Sequence, residues 1–140
     1  MLTGAYNPGG ALAYTLHTQK FASITPYDSM EMRPNKTSGS PGRTYRFLEG
    51  CPGCLSWPFG YGGSYTTFAL SWAAPPPTAV VAGDASSFEL SVKNTGDVLG
   101  DVVVTCFVAA TKQSAVERPP VQQLWAFDRV EDLEPGGTHS

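Results

Sequence analysis

The N-terminal half of the chain carries only short, interrupted patterns of hydrophobic and polar residues. Leu12, Tyr14 and Leu16 alternate with small or polar neighbours, which is typical of one short strand. Residues 21–32 follow no clear period, and residues 33–43 are almost entirely turn-forming or polar, which predicts a loop. Little regular structure is therefore expected in this half.

Aromatic residues dominate the middle of the sequence. Residues 44–48 and 65–72 read as short strands, and the intervening residues 50–63 are dense in Gly, Pro, Cys and aromatic side chains. Residues 73–78 contain three consecutive prolines, which predict a stiff, extended segment.

The C-terminal half has a much more regular pattern. Residues 88–92 alternate as in a half-buried strand, residues 101–109 are apolar on both faces, and residues 121–130 form a third strand candidate. Turn residues occupy positions 94–97 and 134–137. Short strands separated by turns favour an antiparallel β-sandwich.

The predicted sandwich is incomplete. Only about four strands are expected from Tyr65 onward, whereas immunoglobulin-like sandwiches have about seven. The final turn is expected to have no strand after it, which would leave an apolar face and a sheet edge uncovered.

Composition and charge narrow the classes of function. The chain has 140 residues, a length that predicts one core, and its 15 Gly and 12 Pro predict many turns and few long helices. A net charge of −3 argues against nucleic acid or an anionic membrane as partner. The longest apolar stretch, residues 102–110, is half the ~20 residues that a membrane span needs. No basic residue precedes Lys20, so no signal peptide is expected in this chain.

Two long motifs carry a family resemblance. Residues 30–50 read M-E-M-R-P-N-K-T-S-G-S-P-G-R-T-Y-R-F-L-E-G, and residues 57–68 read W-P-F-G-Y-G-G-S-Y-T-T-F. Both blocks resemble the C-terminal part of family 3 glycoside hydrolases, in the β-xylosidase and α-L-arabinofuranosidase-like branch. Shorter matches keep the family's order: N-P-G-G at 7–10, V-K-N-T-G-D at 92–97 and L-W-A-F-D-R-V at 124–130.

The resemblance implies a fold and a domain division. Residues 1–64 would be the tail of an α/β sandwich domain with the inter-domain segment. Residues 65–140 would be a fibronectin type III-like domain, truncated at its C-terminal end. The expected class is thus mainly β, an incomplete immunoglobulin-like (fibronectin type III-like) sandwich after an α/β tail. Gly63 departs from the family, which has Leu there, and Leu48 stands where Tyr is usual.

The resemblance also implies what the chain lacks. Retaining members use an aspartate nucleophile and a glutamate acid/base, and both lie upstream of the N-P-G-G turn. Retaining hydrolysis needs two carboxyl groups about 5–5.5 Å apart. No catalytic, cofactor-binding or metal-binding residue is therefore expected here. The expected partners are the catalytic domains of a secreted, extracellular parent chain, whose substrates would be xylosides or arabinosides in xylan breakdown.

Cys51 and Cys54 form a C-x-x-C motif with three interpretations. A redox site would open a helix, which the following residues 55–60 cannot form, and zinc would need four ligands. A local disulfide or a pair of surface thiols is therefore favoured. Cys106 lies in an apolar strand and is expected to be a small buried hydrophobe.

Asn35 begins an N-K-T tripeptide, a possible N-glycosylation acceptor if the parent is secreted. Arg43 and Arg46 flank an aromatic and are expected to pair with carboxylates or to stack. His17 and His139 are expected to be structural or solvated.

An aromatic run offers a sugar-stacking platform or, as we favour, packing between domains. Its members are Tyr45, Phe47, Trp57, Phe59, Tyr61, Tyr65 and Phe68. The leading hypothesis is a non-catalytic part of a glycosidase. The alternative is a free-standing β-sandwich binding module without enzymatic activity.

Overall fold

A computed structural model describes residues 3–77, 86–109 and 119–140. The chain forms two compact units, the first from residues 1–10, 63–102 and 129–140 and the second from residues 11–62 and 103–128. In the described residues, the elements in chain order are β1 (Leu16–His17), α1 (Gln19–Ile24), α2 (Thr44–Phe47), β2 (Leu55–Trp57), β3 (Phe68–Trp72), β4 (Leu90–Asn94), β5 (Gly100–Val108), β6 (Gln123–Leu133) and β7 (Thr138–His139).

Three open sheets confirm the mainly-β prediction. β1 pairs with β2, β5 pairs with β6, and β3, β4 and β7 form an antiparallel sheet in that order. The strands predicted at 101–109 and 121–130 are present with shifted ends. The strands predicted at 65–72 and 88–92 form over Phe68–Trp72 and Leu90–Asn94.

The sheet of the first unit follows the alternating pattern. Its register runs from Phe68 opposite Asn94 to Trp72 opposite Leu90, so Leu70 lies opposite Val92. Val92 is buried, whereas Leu70 and Trp72 are about half exposed. One face of this sheet is therefore apolar and only partly covered by the described residues.

The expectation that no strand follows the last turn is wrong. Thr138 and His139 pair with Lys93 and Val92 and extend the sheet as β7. The chain reverses at Gly136, which has a φ of 74° and donates its N–H to the Asn94 carbonyl at 3.0 Å. Two residues are too few to show a period of two in the sequence.

A further prediction for the N-terminal half is wrong. Residues 44–47 form a helical turn rather than a strand, because the chain turns sharply before them. A Cβ at Gly42 would lie 2.1 Å from the Phe47 carbonyl oxygen, and Thr44 has a φ of 62°. Leu48 N–H then closes the turn on the Thr44 carbonyl at 3.0 Å.

The helix over Gln19–Ile24 was not expected. Its apolar face buries only Phe21, so the sequence shows no helical period there. The strand expected around Leu12–Leu16 is short, since β1 covers only Leu16–His17. Leu12 continues the contact through reciprocal backbone bonds with Gly60 and Tyr61, both 2.8 Å.

Asn94 is the polar centre of the first unit. Its side chain is fully buried, and its Oδ1 accepts from the Thr66 hydroxyl at 2.6 Å. Its Nδ2 donates to the carbonyls of Val98 and Leu133, both at 2.8 Å. The Asn94 backbone N–H donates to Gly137 at 3.0 Å. One residue thus connects four separate chain segments.

A second asparagine positions the N-P-G-G turn. Asn7 Nδ2 donates to the Leu99 carbonyl at 2.9 Å, and its Oδ1 accepts from the Tyr65 N–H at 2.8 Å. A Cβ on Gly9 would lie 2.5 Å from the Asp101 Cβ, so the turn needs glycine there. A salt bridge from Arg129 and the Asp132 N–H hold the pKa of Asp101 below its usual range.

Replacement of Asn94 tests whether its buried hydrogen bonds stabilise the first unit. Asn94→Ala leaves two carbonyls and the Thr66 hydroxyl without their partner in a buried site, so we expect a loss of about 3 kcal/mol in the free energy of unfolding. Thr66→Val removes one donor and should cost about 1 kcal/mol. Urea denaturation of the chain measures both.

Lys93→Gln is the matched control, since Lys93 is exposed and precedes Asn94 directly. Its stability should equal that of the unmodified chain. Equal stability of Asn94→Ala would contradict the assignment of Asn94 as the organising contact.

Candidate packing interface

Three aromatic rings from separate elements pack together in the second unit. The Tyr45 ring on α2 lies 4.4 Å from the Phe59 ring and 5.7 Å from the Phe107 ring on β5, between ring centroids. Phe59 and Phe107 meet edge to face at 6.1 Å. Rings in mutual contact stabilise each other. This part of the aromatic run is internal packing.

A second aromatic pair lies at the surface. The rings of Trp57 and Tyr61 are 4.1 Å apart and tilted by 32°. Their side chains remain 45% and 41% exposed, and the neighbouring Leu16 and Leu55 are 40% and 42% exposed. These four residues, here named the hairpin patch, lie on β1, on β2 and in the loop after β2.

Phe47 is buried, and two arginine side chains lie close to its ring. The guanidinium carbons of Arg33 and Arg46 lie 5.2 and 5.6 Å from its ring centroid. Arg46 also donates to the Gln123 side chain at 3.2 Å, and its carbonyl accepts from the Val121 N–H at 2.7 Å. The expected stacking of Arg46 is present.

Arg43 clamps the loop of residues 26–32. Its side chain donates to the carbonyls of Pro26 at 2.7 Å, Ser29 at 3.1 Å and Glu31 at 3.2 Å. Its backbone N–H donates to Met32 at 2.9 Å. The guanidinium also lies 5.9 Å from the Phe21 ring.

Arg43 therefore stacks as expected, but its hydrogen-bond partners are carbonyl oxygens rather than carboxylates. The planar guanidinium presents several donors in fixed directions, which suits an irregular loop whose carbonyls have no strand partner. A sequence shows no signal for such a contact, because carbonyl positions depend on the loop conformation.

The C-x-x-C turn is joined to α1. Cys51 and Cys54 are linked by a disulfide with a Cα–Cα distance of 5.5 Å, and Cys54 is fully buried. The Lys20 ammonium donates to the Pro52 carbonyl at 2.7 Å, and the Thr18 hydroxyl donates to Gly53 at 2.7 Å. Leu55 to Trp57 continue as strand β2, as their poor helix propensity indicated.

His17 stacks on Phe21 with ring centroids 3.8 Å apart and planes 15° apart. Burial lowers the pKa of His17, and the nearby positive charge of Arg43 acts in the same direction. A backbone hydrogen bond at Cys54 opposes this shift. Cys106, expected to be buried, is a free thiol and only half-buried, because its part of β5 is partly open.

Asn35 lies at the start of a short loop, half-buried, and Thr37 is exposed. The carboxylate of Glu31 accepts from the Asn35 amide and from the Ser38 hydroxyl, and these bonds lower the pKa of Glu31. Among the described residues no group of three metal-binding side chains occurs. Within the same residues no helix is long and apolar enough to cross a membrane.

No family model matches the chain. A probable exo-1,4-beta-xylosidase of Aspergillus terreus is 36% identical over 97% of this chain, which spans 18% of that protein. The solved exo-beta-xylosidase bound to a xylobiose aziridine probe superposes with a TM-score of 0.70 at 30% identity. This superposition covers 99% of the chain and 19% of that structure.

The chain belongs to glycoside hydrolase family 3. It corresponds to the C-terminal part of β-xylosidase-like members, which confirms the resemblance carried by residues 30–50 and 57–68. A beta-glucosidase from Listeria innocua also matches, with a TM-score of 0.69, 28% identity and coverage of 99% of this chain and 19% of that one. The boundary between residues 1–64 and 65–140 stays a prediction.

The Arg43 clamp generates a testable expectation. Arg43→Lys replaces a three-contact fork by one ammonium, so at least one loop carbonyl loses its donor. We expect cleavage by chymotrypsin after Tyr27, which is 98% exposed, to become at least several-fold faster. Hydrogen exchange over residues 26–32 should increase in parallel.

Arg33→Lys serves as the comparison, because the Arg33 guanidinium lies over the Phe47 ring and, among the described residues, no hydrogen bond from its side chain to this loop is found. Its cleavage rate should stay near that of the unmodified chain. Equal rates for both variants would show that Arg43 does not hold the loop.

The depressed pKa of His17 predicts a pH dependence of stability. Since the folded state disfavours protonated His17, the unfolded state takes up the proton first as the pH falls below about 6.5. The free energy of unfolding should therefore decrease between pH 7.5 and 5.5. His17→Phe keeps the stack on Phe21 and should lose this part of the dependence, as measured by urea denaturation at each pH.

The exposed His139 provides the control through His139→Gln, which should retain the pH dependence of the unmodified chain. A pH dependence that survives His17→Phe unchanged would assign it to another group.

Proposed function

We propose that this chain acts as a non-catalytic C-terminal portion of a longer β-xylosidase-like glycoside hydrolase, where it packs against the catalytic domains and supports them. The parent would be secreted and would hydrolyse the O-glycosyl bonds of xylosides or arabinosides in xylan breakdown. The observation that carries the proposal is the hairpin patch, together with the small core of the described residues.

Few apolar side chains are buried compared with those that are exposed among the described residues. Among the described residues, seven hydrophobic side chains are buried, whereas twenty large hydrophobic ones are exposed. Scattered exposed apolar residues are ordinary, but contiguous patches mark surfaces that another protein element covers. Trp57 and Tyr61 are in contact, and Leu16 is paired with Trp57, so the hairpin patch is contiguous.

The chemistry of the hairpin patch fits a protein partner in the same polypeptide. Trp and Tyr dominate the energetics of protein interfaces when they become fully desolvated. The chain spans about a fifth of the relatives it matches, so most of a relative's sequence lies outside the matched segment. Covalent linkage gives such a partner a high effective concentration, and a modest apolar surface then suffices for docking.

Sugar selectivity belongs outside this segment. Proteins described as xylosidases and as a glucosidase match the same residues at similar identity. A support role explains this sharing, since packing surfaces need shape and hydrophobicity and do not read substrate hydroxyls.

A chimera tests the proposal. The matching fifth of the solved exo-beta-xylosidase is replaced by this chain, and hydrolysis of nitrophenyl xyloside and the melting temperature are measured. We expect the chimera to be active and the same enzyme without the segment to be inactive. Trp57→Ser in the chimera should lower the melting temperature and cost about 2 kcal/mol or more of docking energy.

Tyr27→Ser is the matched control, because Tyr27 is an exposed aromatic outside the hairpin patch. It should leave the melting temperature of the chimera unchanged. The chain on its own should bind a dye for apolar surfaces, self-associate and show no hydrolysis of nitrophenyl xyloside.

The alternative, a free-standing binding module, predicts the opposite behaviour of the isolated chain. A monomer that binds no such dye and binds a sugar or protein would overturn the support role.

A further inference from the structure

We propose that Asn35 carries an N-linked glycan and that the loop of residues 34–40 faces solvent in the parent enzyme. The proposal rests on secretion of the parent, which belongs to the proposed function. The donor is a lipid-linked oligosaccharide pyrophosphate of the secretory pathway. The Asn35 amide nitrogen forms a bond to C1 of the first sugar, the C1–oxygen bond to pyrophosphate breaks, and one amide proton is lost.

The loop of residues 34–40 is a tight turn closed by one backbone bridge. Asn35 and Ser40 form an antiparallel bridge, with the Asn35 N–H donating to the Ser40 carbonyl at 2.9 Å. Ser40 is buried at the base of this turn, whereas residues 36–39 are exposed. Lys36 and Thr37 of the acceptor tripeptide are therefore exposed, and the half-buried Asn35 lies at the fixed base of the loop.

The side chain of Asn35 is already oriented by its own tripeptide. Its Oδ1 accepts from the Thr37 N–H at 2.9 Å, which closes an Asx turn. This bond uses only the carbonyl oxygen, and the amide nitrogen takes no part in it. Thr37 is exposed, and its side chain is accessible to an enzyme that reads the tripeptide.

The bonding of the amide nitrogen is compatible with a glycan. An asparagine amide has two N–H donors, and Asn35 directs one of them to the Glu31 carboxylate. Glycosylation replaces one N–H and retains the other. The contact with Glu31, which the Ser38 hydroxyl also holds at 2.6 Å, can therefore persist in the modified protein.

The surface beside Asn35 can accommodate a sugar. An open pocket of about 450 Å³ is lined by residues 30–35. Met30 and Met32 in this lining are 91% and 44% exposed, so apolar surface lies next to the attachment point. A first sugar ring resting there would cover part of it.

The other two asparagines are not in acceptor tripeptides. The chain has three, and only Asn35 is followed by Thr or Ser at the second position, since Asn7 precedes Pro8 and Gly9, and Asn94 precedes Thr95 and Gly96. A single site is therefore expected. A bulky hydrophilic glycan at Asn35 would keep this loop out of any domain contact, which leaves the hairpin patch as the docking side.

The experiment supplies secretion independently of the parent. The chain is fused to a cleavable signal peptide and translated with endoplasmic reticulum microsomes, which glycosylate without requiring the final fold. Mass is compared before and after treatment with an N-glycosidase. We expect one glycan on the unmodified chain and on Thr37→Ser, and none on Asn35→Gln or Thr37→Ala.

An unmodified chain with the mass of Thr37→Ala would overturn the proposal, as would a glycan that persists in Asn35→Gln. The solvent-facing orientation is tested in the secreted chimera, where the N-glycosidase should remove the glycan without denaturation. A glycan that is removed only after denaturation would overturn the orientation. Neither result depends on whether the segment supports catalysis, so failure here and failure of the support role are distinguishable.

Discussion

The first unit depends on one buried amide. Burying a polar side chain is unfavourable unless each donor and acceptor finds a partner, and Asn94 meets this condition completely. Its partners come from the segment before β3, from the turn after β4, from the end of β6 and from the turn before β7. A change in any of these segments would leave a buried group unpaired, so the four segments are fixed together.

Close contacts between neighbouring chain segments explain why glycines lie near the Asn94 side chain. A Cβ on Gly96 would lie 2.3 Å from the Thr66 hydroxyl, and one on Gly100 would lie 2.5 Å from the Asn7 amide nitrogen. The motifs N-P-G-G (residues 7–10), N-T-G-D (residues 94–97) and E-P-G-G (residues 134–137) are far apart in the sequence, yet all three lie in the first unit. Each contributes either the amide that bonds or the glycine that makes room for it.

Sequence patterns predicted the longer strands β4, β5 and β6. The sequence of β4 alternates between apolar and polar residues, whereas that of β5 is apolar on both faces. α2 was predicted as a strand because aromatic residues favour strands, whereas the tight turn at Gly42 decides the local conformation. The packing of Tyr45 and the stacking of Arg46 followed from the aromatic run. The carbonyl partners of Arg43 could not be predicted, because they exist only once the loop of residues 26–32 has its conformation.

Gly63 shows how the surface of this chain differs from that of its relatives. The resemblance places Leu at this position, and a Cβ on Gly63 would meet no atom within 4 Å. The Cβ of a leucine here would therefore lie in open space among the described residues. Losing it removes nothing from the core, which explains how the substitution is tolerated within the chain. In the proposed support role, the effect would fall on the contact with the rest of the parent, where one apolar anchor fewer would leave the hairpin patch with a larger share of the docking energy.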